Sequence, residues 1–348
     1  MNNYLTEDIK KTIESFVAIE LIKDKVFFIT GANGLIGSFL IDVLMYLNEK
    51  HDLNITVIAN SRSKEKLESK FPNYVFNPLF KCYIGDINQP IRYDGVADYI
   101  VNCASNTHPL QYAKDPIGTI MTNIQGTANV LDFAANRGVP KVIFLSSVEI
   151  YGENRYGVKR FKEDEMGYID CNSLRAGYNE AKRCGEALCQ AYIEQKGLDV
   201  SVLRLPRIYG PTMKMDDSKV LSQFIKKAVA GEDIVLKSEG EQFFSYLYVA
   251  DAVAGILRCL VTGRNGEVYN LGNIKSDVRL KDLARIVADI AGVEVVFNLP
   301  DENEAKGFSR ATTARLDYSK AERELGFRPT VDIESGVRRT IEILKKIN

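Results

Sequence analysis

The sequence predicts an α/β protein: a doubly wound parallel sheet followed by a smaller α/β lobe. Three observations predict it. Short apolar runs alternate with helical periodicity through residues 23–205, a glycine-spaced turn joins the first run to the first helix, and the alternation loosens after Gly210 and Pro211. Strands that alternate with helices imply right-handed crossovers and a sheet covered on both faces.

Glu7 to Leu21 places Ile9, Ile13, Phe16 and Ile19 at helical spacing, which predicts an amphipathic helix within residues 1–22, ahead of the first strand. Lys25 to Thr30 is a short apolar run that breaks into Gly31, and a helix pattern follows from Leu35 to Leu47. Further strands are predicted at Asn54 to Ala59, Tyr99 to Cys103 and Lys141 to Ser146. Helices are predicted from Thr119 to Arg137 and Ala176 to Tyr192. Residues 206–348 read mainly as a separate lobe, some of whose segments return to the first domain. Turn-rich stretches lie near 214–219 and 237–242, and a last helix runs from Ile333 to Lys346.

A chain of 348 residues, 45% hydrophobic and 26% charged, can bury a large core. Lys plus Arg number 45 against 46 for Asp plus Glu, a net charge of −1 that provides no basic field for nucleic acid. The six cysteines form no C-x-x-C pair and only two histidines exist, so free thiols in the cytoplasm are expected and no metal. No apolar run approaches the ~20 residues that cross a bilayer, and the polar start, Met1 to Lys11, does not read as a leader. No membrane partner is expected.

Gly31, Gly34 and Gly37 are spaced G-x-x-G-x-x-G between a strand and a helix. The first two permit a tight turn whose backbone N–H groups approach a pyrophosphate, and the third lets helix and strand pack closely. The anion then sits at the positive end of the helix, as in a Rossmann-type dinucleotide site. At the end of the second strand, Asn60-Ser61-Arg62-Ser63 contains no acid to hold a ribose 2′-hydroxyl. Arg62 suits the 2′-phosphate of NADP and Asn60 a bare ribose of NAD, so these residues leave the two open.

Tyr178 and Lys182 stand at i and i+4, one face of a helix. A nearby ammonium stabilises phenolate, which predicts a lowered pKa for Tyr178 and a role as general base. Ser147, just past the strand Val142 to Leu145, lies where parallel sheets put their ligands and is the expected hydrogen-bond partner of the reacting hydroxyl.

Taken together these residues resemble the extended short-chain dehydrogenase/reductase family, in its NAD-dependent epimerase/dehydratase branch. Cys103-Ala104-Ser105 with Asp115-Pro116 and Asn123-x-x-Gly126-Thr127, Ser147 to Gly152, Arg175 to Arg183, and Tyr209-Gly210-Pro211 carry the likeness, and the third is the most specific. The set is most similar to the UDP-glucuronate decarboxylase subfamily. The resemblance implies NAD as cofactor, a nucleotide-sugar substrate and a homodimer formed by the helices around Thr119 to Asn136 and Ala176 to Gln195. Small residues there, Ala128, Ala134, Ala135, Ala181, Gly185 and Ala187, suit a helix contact or packing on the sheet equally. It implies cofactor contacts from Gly31, Asn33, Gly34, Leu35, Ile36, Gly37, Asn60, Ser61, Arg62, Asp86, Ile87, Cys103, Ala104, Ser105, Asn123, Tyr178, Lys182 and Pro206. Catalytic roles fall on Ser147, Glu149, Tyr178 and Lys182, and substrate contacts on Thr107, Ser147, Glu149, Arg207, Arg310 and Arg315.

The implied chemistry begins with oxidation of the sugar C4 to a ketone. The ketone then supports 4-epimerisation, 4,6-dehydration as in dTDP-glucose enzymes, or loss of carbon dioxide from a C5 carboxylate. The same residues are compatible with 4-ketoreduction and with a non-catalytic NAD(P) sensor. Dehydratases of this family commonly carry Asp where this chain has Val148, which cannot protonate a leaving hydroxyl, so decarboxylation ranks above dehydration. Two positions depart from the family pattern: Arg207 replaces an Asn and Phe244 replaces an Arg. Either Arg207, helped by Arg310 or Arg315, takes over a phosphate contact, or the substrate is not a standard nucleoside diphosphate hexose.

Overall fold

A computed structural model describes residues 5–105, 114–173, 176–299 and 312–347. The first element is helix α1 (Thr6–Phe16), followed by a short 3-10 turn at Ile19–Ile22. The expected single helix to Leu21 is therefore interrupted. Val17 takes a positive φ of 62°, and the Arg258 guanidinium captures the Ser15 carbonyl at the helix end.

Strand β1 (Val26–Thr30) leads into α2 (Leu35–His51), β2 (Thr56–Ser61), α3 (Lys64–Lys70), β3 (Phe80–Ile84) and β4 (Tyr99–Asn102). Helix α4 (Pro116–Arg137), β5 (Lys141–Ser147), α5 (Ala176–Lys196), β6 (Val200–Leu205) and β7 (Arg207–Tyr209) come next. β2 starts two residues later than its apolar run. Both polar groups of the Ile55 backbone are taken by the Asn48 side chain, at 2.7 Å each, before the sheet can use them. α4 starts earlier than its periodicity, because Asp115 caps it through the Gly118 N–H and Pro116 occupies the first turn.

After β7 come α6 (Val220–Ala230), β8 (Ile234–Leu236), β9 (Phe243–Tyr248), α7 (Val249–Thr262), β10 (Val268–Asn270) and β11 (Asp277–Arg279). The chain finishes through α8 (Leu280–Ala291), β12 (Val295–Phe297), β13 (Thr313–Ala314), α9 (Ser319–Leu325) and α10 (Ile333–Ile347). Seven parallel strands form the main sheet in the order β10-β6-β5-β4-β1-β2-β3. The order reverses between β1 and β4, which opens a crevice at their C-terminal ends. A second sheet places β9 between β11 and β13, with β7 also on β9. β10, from the C-terminal lobe, completes the edge of the main sheet beside β6.

One continuous apolar core joins α1, α2 and the first strands to the lobe. α1 lies on α7, and its Asp8 is fully buried. Tyr248 donates to Asp8 at 3.0 Å and the Arg339 guanidinium pairs with it. Burial pushes the Asp8 carboxyl up while Arg339 pulls it back down.

Candidate active site

β1 delivers the chain to the turn at Gly31, whose φ is +64°. A Cβ there would stand 2.8 Å from the Ala104 backbone, and a Cβ on Gly37 would stand 2.6 Å from the Gly31 carbonyl oxygen. Glycine is what allows β1 to meet the end of β4 and α2 to start against the turn. Gly34 caps α2 in extended conformation, and the N–H groups of Leu35 and Ile36 open the helix, where the geometry leaves them without intrahelical partners. Asn33 donates to Ser61 at 2.8 Å, while its buried Oδ1 has no partner among the described residues. A narrow glycine cradle, a positive helix end and an orphaned polar atom fit a dinucleotide pyrophosphate.

Around that turn the sheet gathers most of the residues expected at a cofactor. Thr30 donates to Asn102 and accepts from the Ala104 N–H, joining the ends of β1 and β4. Ser105 donates to Asn123 at 2.8 Å, and Asn123 is itself buried and donates to the Thr119 carbonyl. Cys103 is inert as a thiol, pushed up to about 12 by burial. Arg62 and Asp86 are exposed at the ends of β2 and β3, Ile87 is buried beside Asp86, and Pro206 is buried between β6 and β7. Asn60 is turned inward. Its amide donates to the carbonyls of Tyr83 and Gly85, so the donor expected for a ribose holds β2 to β3 instead.

β5 and α5 bring the reactive side chains together. Ser147 ends β5 and caps the 3-10 turn Val148–Tyr151 by accepting from the Glu149 N–H at 3.2 Å. The Tyr178 hydroxyl is buried and hydrogen-bonded with Ser147 and Ser105. Lys182, one turn along α5, donates to the Leu145 carbonyl at 2.8 Å and lies 6.0 Å from the Tyr178 ring centroid. The expected lowering of Tyr178 is reversed: burial pushes its phenol up to about 12, the Glu149 charge adds to that, and the two serine hydrogen bonds only partly offset it. The same burial pushes Lys182 down to about 8, which weakens the cation expected to stabilise a phenolate.

Arg207 and Phe244, the two unusual positions, touch each other. The Arg207 guanidinium stacks 3.6 Å over the Phe244 ring and pairs with Glu149 at 3.3 Å. Its Nη1 is buried and has no partner among the described residues. Arg315 instead stacks on Phe243, 4.2 Å from the centroid. Neighbouring residues of a strand point to opposite faces, so β9 separates the two arginines. Arg207 and Arg315 are thus held on different rings, Phe244 and Phe243. Thr107, Arg175 and Arg310 lie outside the described residues.

One polar neighbour of these side chains was not singled out by sequence. Glu186 follows Tyr178 and Lys182 at four-residue steps on α5, and that spacing is the signal that could have found it. It accepts from Ser146 at 2.5 Å and pairs with Arg204 at 2.8 Å; Arg204 also donates to the Tyr151 hydroxyl, which donates to Asn270. The network lies directly behind Ser147 and Lys182.

The family model described as NAD dependent epimerase/dehydratase family matches residues 27–272. The chain is 31% identical over 313 residues to UDP-glucuronic acid decarboxylase 6 of Arabidopsis thaliana, covering 89% of this chain and 85% of that protein. It is also 31% identical over 322 residues to UDP-glucuronic acid decarboxylase 1 of Xenopus tropicalis, covering 92% and 72%. Among solved structures it is similar to the UDP-glucose 4-epimerase of Thermotoga maritima, at 26% identity and a TM-score of 0.77, covering 92% of this chain and 99% of that one. The dTDP-glucose 4,6-dehydratase of Streptomyces venezuelae, solved with NAD bound, matches at 25% identity and a TM-score of 0.77, covering 92% and 97%.

Proposed function

The chain belongs to the NAD dependent epimerase/dehydratase family, and from that membership we propose that it decarboxylates a nucleotide-linked uronate through a 4-keto intermediate. The observation that carries this reading is the stretch Ser147-Val148-Glu149 against Tyr178. Val148 is 3% exposed and faces the core, so nothing at that position can protonate a leaving hydroxyl, while Glu149 stands beside the reacting pair.

NAD, when bound, supplies the hydride acceptor and a positive charge near the phenol. In its phenolate form, which the cofactor's positive charge and the Lys182 ammonium would favour against the effect of burial, Tyr178 would receive the proton of the sugar C4 hydroxyl while Ser147 holds that hydroxyl in place. Lys182, though burial weakens its ammonium, would add positive charge beside Tyr178 below about pH 8. Once C4 is a ketone, a C5 carboxylate is a β-keto acid and loses carbon dioxide without acid catalysis of a leaving group. The resulting enolate takes up a proton at C5, for which Glu149, the carboxyl beside Tyr178, is the candidate relay, and return of the hydride and of the Tyr178 proton to C4 closes the cycle.

A nucleotide-sugar 4-epimerase is the second reading, favoured by the likeness to the Thermotoga maritima enzyme. Incubation of the purified protein with NAD and UDP-glucuronate, with mass analysis of products, separates them. Loss of the mass of carbon dioxide supports decarboxylation, and unchanged mass with a new retention time means epimerisation. Loss of water from a nucleotide hexose would overturn the reading of Val148.

Pairing of two copies through α4 and α5 belongs to the same proposal. Ala134 and Ala181 are buried within the chain and Gly185 lies against Phe144, so these three serve internal packing. Ala128, Ala135 and Ala187 remain at least partly accessible, and Ile117 and Met121 of α4 are exposed. Six free cysteines accord with a reducing cytoplasm. Among the described residues no helix is long and apolar enough to cross a membrane.

A further inference from the structure

We propose that Arg207 is the specificity residue that reads the carboxylate of the sugar, and that it does not serve the diphosphate. This rests on the decarboxylase reading. Three features of the site point to it.

The first is position. Arg207 is 3.3 Å from Glu149, whose charge acts directly on Tyr178. Its guanidinium is thus one side chain away from the group that takes the C4 proton. A pyranose whose C4 hydroxyl meets Tyr178 would bring the substituent of the adjacent C5 toward the same side chains, and its C1-linked diphosphate would lie across the ring from them.

The second is the state of the guanidinium. Stacking on Phe244 fixes its plane. One nitrogen, Nη2, is held by Glu149, and the buried Nη1 has no acceptor among the described residues. A planar fork with one donor committed and one unspent is suited to a second carboxylate, which it binds with both direction and charge.

The third is electrostatic necessity. A uronate brings an anion to within reach of Glu149, and two carboxylates sharing a half-buried site repel unless a cation lies between them. Arg207 lies there. A neutral hexose would need no such cation. Phe244, the ring on which the guanidinium stacks, presents only an apolar face.

Binding and turnover of three ligands test this: UDP-glucuronate, UDP-glucose and UDP, with the wild type, Arg207→Asn and Arg207→Lys. Loss of a charged hydrogen bond predicts that Arg207→Asn weakens UDP-glucuronate by about 10- to 100-fold. UDP-glucose and UDP should stay within about threefold, since they lack the anion Arg207 reads. The effect should fall on KM more than on kcat. Arg207→Lys keeps the charge and recovers part of the loss, which guards against a folding artefact. A parallel loss for all three ligands assigns Arg207 to the diphosphate and overturns the proposal, as does an unchanged affinity for UDP-glucuronate in Arg207→Asn. A wild type that binds UDP-glucuronate selectively through Arg207 but releases no carbon dioxide would instead break the decarboxylase reading and leave the carboxylate role standing.

Discussion

The crevice at the ends of β1, β4 and β5 is assembled by backbone, whereas the surface contributed by β7 and β9 is assembled by side chains. Gly31 meets the Ala104 main chain and Lys182 is tied to the Leu145 carbonyl. Across the crevice, Arg207 is placed by a phenyl ring and a carboxylate. A site set by main chain leaves its residues little freedom, so its chemistry persists. A site set by side-chain contacts can exchange partners.

The comparison breaks first if the backbone-built half tolerates change. Tyr178→Phe removes the proton acceptor and is expected to lower kcat by about 10³-fold with NAD binding retained, as general acid–base groups do. A steady-state assay that found only a few-fold loss would place the chemistry elsewhere. Next in size is Glu186→Gln. It leaves the Arg204 charge, whose side chain is 4% exposed, without its carboxylate, and the cost of a broken buried pair is about 3–5 kcal/mol by denaturant unfolding. Gly31→Ala follows: the positive φ and the 2.8 Å approach to Ala104 predict about 1–3 kcal/mol of strain, and weaker dinucleotide binding measured by titration.

Lys182 sharpens the comparison through pH. Burial lowers it from the usual 10.5 to about 8, so between those values the unfolded chain holds a proton that the native chain has lost. Native stability therefore rises with pH across that window. Activity that needs the ammonium moves the other way and falls as pH passes about 8. A pH profile and parallel unfolding curves check both signs, and Lys182→Met should flatten the stability rise. The smallest effect belongs to the side-chain-built half: Phe244→Leu keeps apolar volume and loses the cation–π contact, worth about 0.5–2 kcal/mol. It should appear as weaker substrate binding with little change in melting temperature.

What was legible in the sequence follows the same division. Gly31, Gly34 and Gly37, the Tyr178–Lys182 spacing and the strand before Ser147 are local patterns, and each identified its element. β3 was not legible, since its exposed Lys81 and Cys82 obscure the apolar run, and β10 is only three residues long. Boundaries slipped where a side chain captured backbone groups, as Asn48 does at Ile55. The direction of the Tyr178 shift was not legible either, because i and i+4 spacing reports that a cation is near but not how deeply both groups are buried. The separation of Arg207 from Arg315 depends on which face of β9 each addresses, and the distance between them in sequence conceals it.

Asp8 and Arg339 meet from opposite ends of the chain. During synthesis the carboxylate emerges first and waits for nearly the whole protein before its cation exists. Until α10 leaves the ribosome, docking α1 on α7 would bury an uncompensated charge. α1 therefore gains its charge-compensated seat on α7 only once α10 is in place.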